Sequence, residues 1–225
     1  MKKNNKYKKN IMASKQEEAY IESSSGDEAA DVAMPSKNLN VIYSLNNHLY
    51  YYKDIDNEGA ALFCKTITEM YYNTISNMLI TGLTDPVIEV HINSEGGDAA
   101  SSFAMVSIIE EVKRGFGPVP VPMKVITHVE GESCSGGSIM SVVGTERTIS
   151  KYSYMLIHKA TSGFIGKNEE MKDHVKNIDL LDSFMKDIYK KNSKIPDEVL
   201  DEIMNKDIFL SPEQCLEYGL VDRIV

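Results

Sequence analysis

An α/β fold with a largely parallel sheet follows from three features of this sequence. Strand-like, loop and helix-like segments alternate from residue 48 to the end, a pattern that builds parallel strands joined by crossover helices. Glycine-rich turns, NSEGGD and SCSGGS, stand directly after two of the strand-like runs, where sites form in such sheets. Hydrophobic residues make up 42% of the 225, enough to fill one core.

The elements follow in order. NHLYYYKDI reads as a strand. From Glu58 to Ile80, apolar residues recur at threes and fours, among them Leu62, Ile67, Met70 and Met78, and predict an amphipathic helix. PVIEVHI (86–92) is a strand ending at Asn93. Ala99 to Val112 is a helix broken by GFGPVPVP. MKVITHVEG (123–131) is a strand, and Ser138 to Val143 a buried helix behind a glycine turn. Thr148–Ile149 and Tyr154–His158 are short strands. Residues 168–192 form a long charged helix with Met171, Val175, Ile178, Leu181, Met185 and Ile188 on one side. Pro196 suits the first turn of a short helix. SPEQCLEYG offers a serine N-cap, a proline next to it and a closing glycine. LVDRIV is the last strand.

Residues 1–38 stand apart. Five lysines fall in the first ten residues, and an acidic Ser/Ala-rich stretch without apolar period follows. Such a segment reads as a flexible charged tail, with a partner-binding arm or a removable propeptide as alternatives. The folded domain is then residues 39–225.

The net charge of −9 argues against nucleic-acid binding, which usually requires a basic face. No run of 18 apolar residues exists, so no membrane span is expected, and no apolar stretch follows the basic start, so no secretory signal is read. Cys64, Cys134 and Cys215 are an odd set without CxxC spacing, which gives neither a disulfide framework nor a zinc site and fits a reducing cytoplasm. No HExxH, P-loop or GxGxxG occurs, so no metal or nucleotide cofactor is expected.

Three residues suit hydroxyl-nucleophile chemistry. Ser135 lies among small residues at a strand-to-helix turn, where substrate can approach its oxygen and the next backbone N–H can face an oxyanion. His158 ends an apolar strand and could take the serine proton. Asp207, in NKDIFLSPE, could hold the imidazole in the required tautomer. Gly97 and Gly136 would supply two oxyanion donors. Each feature has a plainer reading: SCSGGS as a tight turn, NSEGGD as a βα turn, His158 as a structural histidine. Ser133 and Cys134 are rival nucleophiles. Asp179 and Asp182 are alternative acids expected to face solvent. His48 and His91 lie within strands, His128 is expected to be hydrogen-bonded in mid-strand, and His174 to be solvated.

At these residues the sequence resembles the Clp protease proteolytic subunit family (ClpP). The family's INSPGG strap is matched by INSEGG (92–97), and its nucleophile segment by SGGSIMSVVG (135–144). Its MIHQP is matched by LIHKA (156–160), and its RDxFLSAxEAxEYGLVD by KDIFLSPEQCLEYGLVDRIV (206–225). The resemblance implies a ClpP/crotonase-like fold of stacked ββα units with a protruding handle helix at about 168–192. It implies a serine endopeptidase in which Ser135 is nucleophile, His158 base and then acid, Asp207 the orienting carboxylate, and Gly97 and Gly136 the oxyanion donors. It also implies homo-oligomers of two stacked seven-membered rings enclosing a chamber for unfolded proteins or peptides. An AAA+ unfoldase such as ClpX or ClpA would feed the chamber and consume the ATP, so this chain would need no cofactor.

The sequence departs from the family pattern in four places. Lys159–Ala160 replaces Gln-Pro, Lys206 replaces Arg, and Gly136 stands where Met is typical. Residues 1–47 lack the usual axial-loop sequence. These departures fit a divergent, phage-encoded or lineage-specific member, including a head-maturation protease. A non-catalytic ring subunit and a crotonase-type acyl-thioester enzyme are the other functional readings.

Overall fold

The computed structural model describes residues 41–118 and 120–225. The tail expected over residues 1–38 lies outside them. Two antiparallel strands come first, β1 (Val41–Leu45) and β2 (His48–Tyr52), in register from Val41 opposite Tyr52 to Leu45 opposite His48. Asn46 makes the turn with a left-handed backbone, φ 56°, which Asn tolerates better than most residues. β1 was not expected, because VIYSL is exposed over its last three residues and shows no inward–outward alternation.

The remaining strands are β3 (Val87–Ser94), β4 (Lys124–Cys134), β5 (Glu146–Ile149), β6 (Tyr154–Leu156) and β7 (Arg223–Ile224). They form one sheet of order β1-β2-β3-β4-β5-β7, with β6 pairing β4, and every pair after the first is parallel. β4 is longer than its apolar run suggested and divides its partners. Ile126 to Val129 pair with β5, whereas Glu132 to Cys134 pair with β6. The β3–β4 register shifts between Ile92, opposite Val129, and Ser94, opposite Ser133. The extra residues on β4 include Gly131 at φ 100°, whose neighbour Glu132 donates its N–H to Asn93 Oδ1 at 3.1 Å. Bulges of this kind commonly re-aim a strand at the rim of a site.

Helix α1 (Asn57–Thr81) starts at Asp56, whose carboxylate accepts from Gly59 N–H at 2.6 Å, and ends at left-handed Gly82. Helix α2 (Ala99–Arg114) is capped by Asp98 through Ser101 N–H and ends in Lys113 and Arg114, which suit the negative end of its dipole. The two helices cover one face of the sheet. Phe63, Ile67 and Tyr71 of α1 and Met105, Ile109 and Val112 of α2 are buried with Leu49, Tyr51, Ile88, Val90, Ile92 and Val129 in a single core. Tyr51 meets Phe63 edge to face at 5.8 Å, which fixes the helix-facing side of β2. Since side chains alternate along a strand, His48, Tyr50 and Tyr52 point to the other face.

Four further helices complete the described chain: α3 (Gly136–Val142), α4 (Asn168–Asn192), α5 (Asp197–Met204) and α6 (Pro212–Glu217). Pro196 proves to be the N-cap of α5 rather than a first-turn residue. Ser211 caps α6 in a reciprocal box with Gln214. Only Met185 and Tyr189 of α4 are buried, Ile188 packs partly against the core, and the first half of this long helix is mostly exposed. No helix among the described residues is long and apolar enough to cross a membrane.

Candidate active site

β4 runs directly into Ser135, which is the N-cap of α3. Its backbone sits at φ 51°, ψ −118°, a region costly for a residue with a side chain. Neighbouring elements hold the turn in this conformation. Ser135 N–H donates to the Leu156 carbonyl of β6 at 2.8 Å. The Ser138 hydroxyl donates to the Ser135 carbonyl at 2.7 Å and is itself met by the fully buried Tyr189 hydroxyl of α4 at 2.5 Å. Burial pushes the Tyr189 phenol far above its ordinary value, so it serves as a neutral hydrogen-bonding group.

The strap after β3 lies against this turn. Gly96 and Gly97 have φ 96° and 143°. A Cβ on Gly96 would fall 2.5 Å from the Cys134 carbonyl and 2.7 Å from Ser135 Cβ, and one on Gly97 would fall 2.1 Å from the Ile55 carbonyl. Both glycines are therefore required by sign of φ and by space. Ile55 clamps the strap, donating to the Gly96 carbonyl at 2.6 Å and accepting from Asp98 N–H at 2.9 Å. The N–H groups of Gly97 and Gly136 have no acceptor among the described residues. Gly136 is also sterically fixed, since a Cβ there would meet Ser102 Oγ at 2.1 Å. The space beside Gly136 is filled by the Ser102 side chain, itself anchored to the Asp98 carbonyl at 2.8 Å.

A cleft of about 260 Å³ brings Gly97, Ser135, Gly136 and His158 together. Its apolar wall comes from Ile139 of α3 and Ile178, Leu181 and Met185 of α4. His158 follows β6, and Lys159 N–H next to it donates to the Met204 carbonyl at 3.0 Å. Asp207 arrives on the segment between α5 and α6, which is tied to β6 through reciprocal Met155–Leu210 bonds of 3.1 and 2.7 Å. Asp207 Oδ1 stands 3.7 Å from His158 Nδ1, in ion-pair range but beyond a hydrogen bond. The imidazole is largely enclosed while the carboxylate is 81% exposed. His158 Nδ1 is buried with no hydrogen-bond partner among the described residues.

The rival residues fall into place by environment. Cys134 is buried, and desolvation pushes its thiol up to about 12, so it carries no thiolate near neutral pH. Ser133 Oγ is also buried and without a partner among the described residues. The solvent-facing role expected for Asp182 is corrected: its carboxylate accepts from Ala160 N–H at 2.7 Å and so ties α4 to the loop behind His158. Only the pairing of a helix with a loop could reveal that role. His174 is likewise not free in solvent but stacks on Phe164 at 4.8 Å and meets Ser162 at 3.0 Å. Lys206 pairs with Glu202 one helical turn back at 2.5 Å.

The family model for Clp protease matches residues 45–225 of the chain. The chain is also 27% identical over 162 residues to the ATP-dependent Clp protease proteolytic subunit of Deinococcus radiodurans, covering 70% of this chain and 75% of the relative.

Proposed function

The chain belongs to the Clp protease family, and from that premise we propose that it is a serine endopeptidase cleaving unfolded proteins and peptides inside an oligomeric chamber. The observation that carries this reading is the single cleft lined by Ser135, His158, Gly97 and Gly136. Ser135 Oγ attacks the scissile carbonyl as His158 takes its proton. The carbonyl oxygen gains charge between the Gly97 and Gly136 N–H groups, placed at the amino end of α3. His158 then returns the proton to the leaving amine, and water repeats the cycle on the acyl-enzyme. The apolar wall of Ile139, Ile178, Leu181 and Met185 favours a hydrophobic side chain beside the cleaved bond.

Asp207 completes the constellation by a small movement. Closing 3.7 Å to an ordinary hydrogen bond of about 2.8 Å would satisfy His158 Nδ1 and fix the tautomer that leaves Nε2 free to act as base. Homo-oligomeric rings stacked through α4 and fed by an AAA+ unfoldase are part of the same proposal. The exposed Met171, Val175 and Leu180 on that helix support it. The three cysteines are all free, in keeping with a reducing cytoplasm. A fluorophosphonate probe tests the assignment: it labels the wild-type protein and leaves Ser135→Ala unlabelled. Equal labelling of the two proteins overturns it.

The open His158–Asp207 distance favours one other reading, a ring subunit without activity of its own. That reading expects an assembled oligomer inert both to the probe and to peptides with a hydrophobic residue before the cleaved bond.

A further inference from the structure

Away from the cleft, the sheet face opposite α1 and α2 carries a cluster of histidines and glutamates that the proposed chemistry does not use. The parallel β2–β3 register sets His48 opposite Glu89. His91 lies two residues on, on the same face, opposite His128 of β4. His91 is 8% exposed and is stacked between the rings of Tyr50 (4.3 Å) and His128 (4.6 Å), so its orientation is fixed.

The hydrogen bonds set the tautomers. His91 Nδ1 stands 2.8 Å from Glu130 Oε1, and the other oxygen of Glu130 accepts from the Tyr52 hydroxyl. A carboxylate only accepts, so His91 Nδ1 carries a proton, and in the neutral imidazole Nε2 presents a lone pair. That lone pair faces His48 Nδ1 at 2.9 Å. Glu89 Oε2 lies 3.8 Å from the same His48 nitrogen and is steadied by His128 Nε2 at 2.9 Å, while His128 Nδ1 meets the Thr148 hydroxyl at 2.7 Å. The donor atoms of His48, Glu89 and His91 all fall within 4.8 Å of one another.

From this juxtaposition we propose that His48, Glu89 and His91 form a binding site for zinc or a similar borderline divalent cation, bridging β2 and β3. Ligands about 2.1 Å from a tetrahedral zinc stand about 3.4 Å apart. The separations of 2.9 and 3.8 Å lie on either side of that value, so small side-chain rotations admit the ion. Two imidazoles with one carboxylate select zinc-like ions over magnesium or calcium, which take oxygen ligands. Glu130 behind His91 and His128 behind Glu89 are the outer partners that orient metal ligands. His48 and Glu89 are 33% and 25% exposed, which leaves a coordination position to water. No metal motif is legible along the chain, because the ligands come from two strands and meet only through their register.

The test uses the untagged full-length chain, stripped with a chelator and titrated with zinc, magnesium and cobalt. Calorimetry and thermal melting are expected to show a single saturable zinc site that raises the melting temperature, with no matching response to magnesium. Cobalt is expected to give visible d–d bands without a thiolate charge-transfer band. His91 supports its neighbours, so the more exposed ligands carry the mutational test: His48→Ala and Glu89→Gln abolish the zinc response. Glu130→Gln weakens it about 10- to 100-fold, and His174→Ala leaves it unchanged. Absence of saturable zinc binding overturns the proposal. So does binding indifferent to both His48→Ala and Glu89→Gln, or a thiolate band placing the ion on a cysteine. Wild-type cobalt spectra decide the matter even if a variant fails to fold, and none of these readouts depends on peptidase activity.

Discussion

Cys134 and Ser135 are neighbours with nucleophilic atoms and opposite surroundings. The thiol is buried and held protonated, whereas the serine lines the cleft. Cys134→Ala is therefore expected to leave fluorophosphonate labelling unchanged. Native-state alkylation is expected to favour the partly exposed Cys64 over both buried thiols, which peptide mass mapping would read. For the proposed triad, His158→Ala and Asp207→Ala should each lower kcat about 10⁴-fold with the fold retained, as steady-state kinetics and circular dichroism would report. A Cβ at Gly97 has no room, so Gly97→Ala should cost stability as well as activity, seen as a lower melting temperature. The residues of the cleft were legible because they sit in contiguous motifs. The ligands of the proposed metal site were not, since nothing in the chain order relates His48 to Glu89.

At the scale of elements, α4 reaches the cleft in three ways: an apolar wall, the Tyr189 contact to Ser138, and the Asp182 contact to Ala160. The apolar side read along residues 168–192 contains the wall residues Ile178, Leu181 and Met185, but the two polar anchors were not legible, because a hydrogen bond between distant segments leaves no local mark. Asp182→Ala removes a charged acceptor from a backbone N–H, an interaction of about 1.5–3 kcal/mol. It is expected to lower kcat/KM about 10-fold or more while leaving the apolar wall intact. Tyr189→Phe should cost about 1 kcal/mol in chemical denaturation, with the Ser135 turn loosened. β1 is illegible for the opposite reason, since a short, exposed edge strand needs no apolar face.

For the whole molecule, Arg147 of β5 ties the segment leading into β7 to the end of α4. It pairs with Asp222 at 2.7 Å, donates to the Gly219 carbonyl at 2.9 Å and reaches the Asn192 carbonyl at the end of α4. The guanidinium holds the Asp222 carboxyl below its ordinary range. A lowered folded-state value contributes stability above the unfolded value, about pH 4, and that contribution is lost as pH falls through the folded one. Asp222→Asn should thus lower the melting temperature at neutral pH and flatten its acid limb. The alternation of elements made the α/β class and most of the parallel order legible. The division of β4 between β5 and β6 was not, because it depends on a bulge created by pairing. If rings stack through α4, replacing Val175 and Leu180, both about half exposed, with serine should reduce particle mass in light scattering while monomer stability stays unchanged.

If Ser135 is the nucleophile, as proposed, its left-handed backbone sets stability against activity. Glycine would hold φ 51°, ψ −118° without a side-chain penalty, relieving about 1–3 kcal/mol of strain. Part of that gain returns as chain entropy in the unfolded state. Ser135→Gly should therefore melt at a higher temperature than the wild type while losing its hydroxyl chemistry. On that assignment, laboratory selection for heat resistance alone would drift toward an inert protein at this codon.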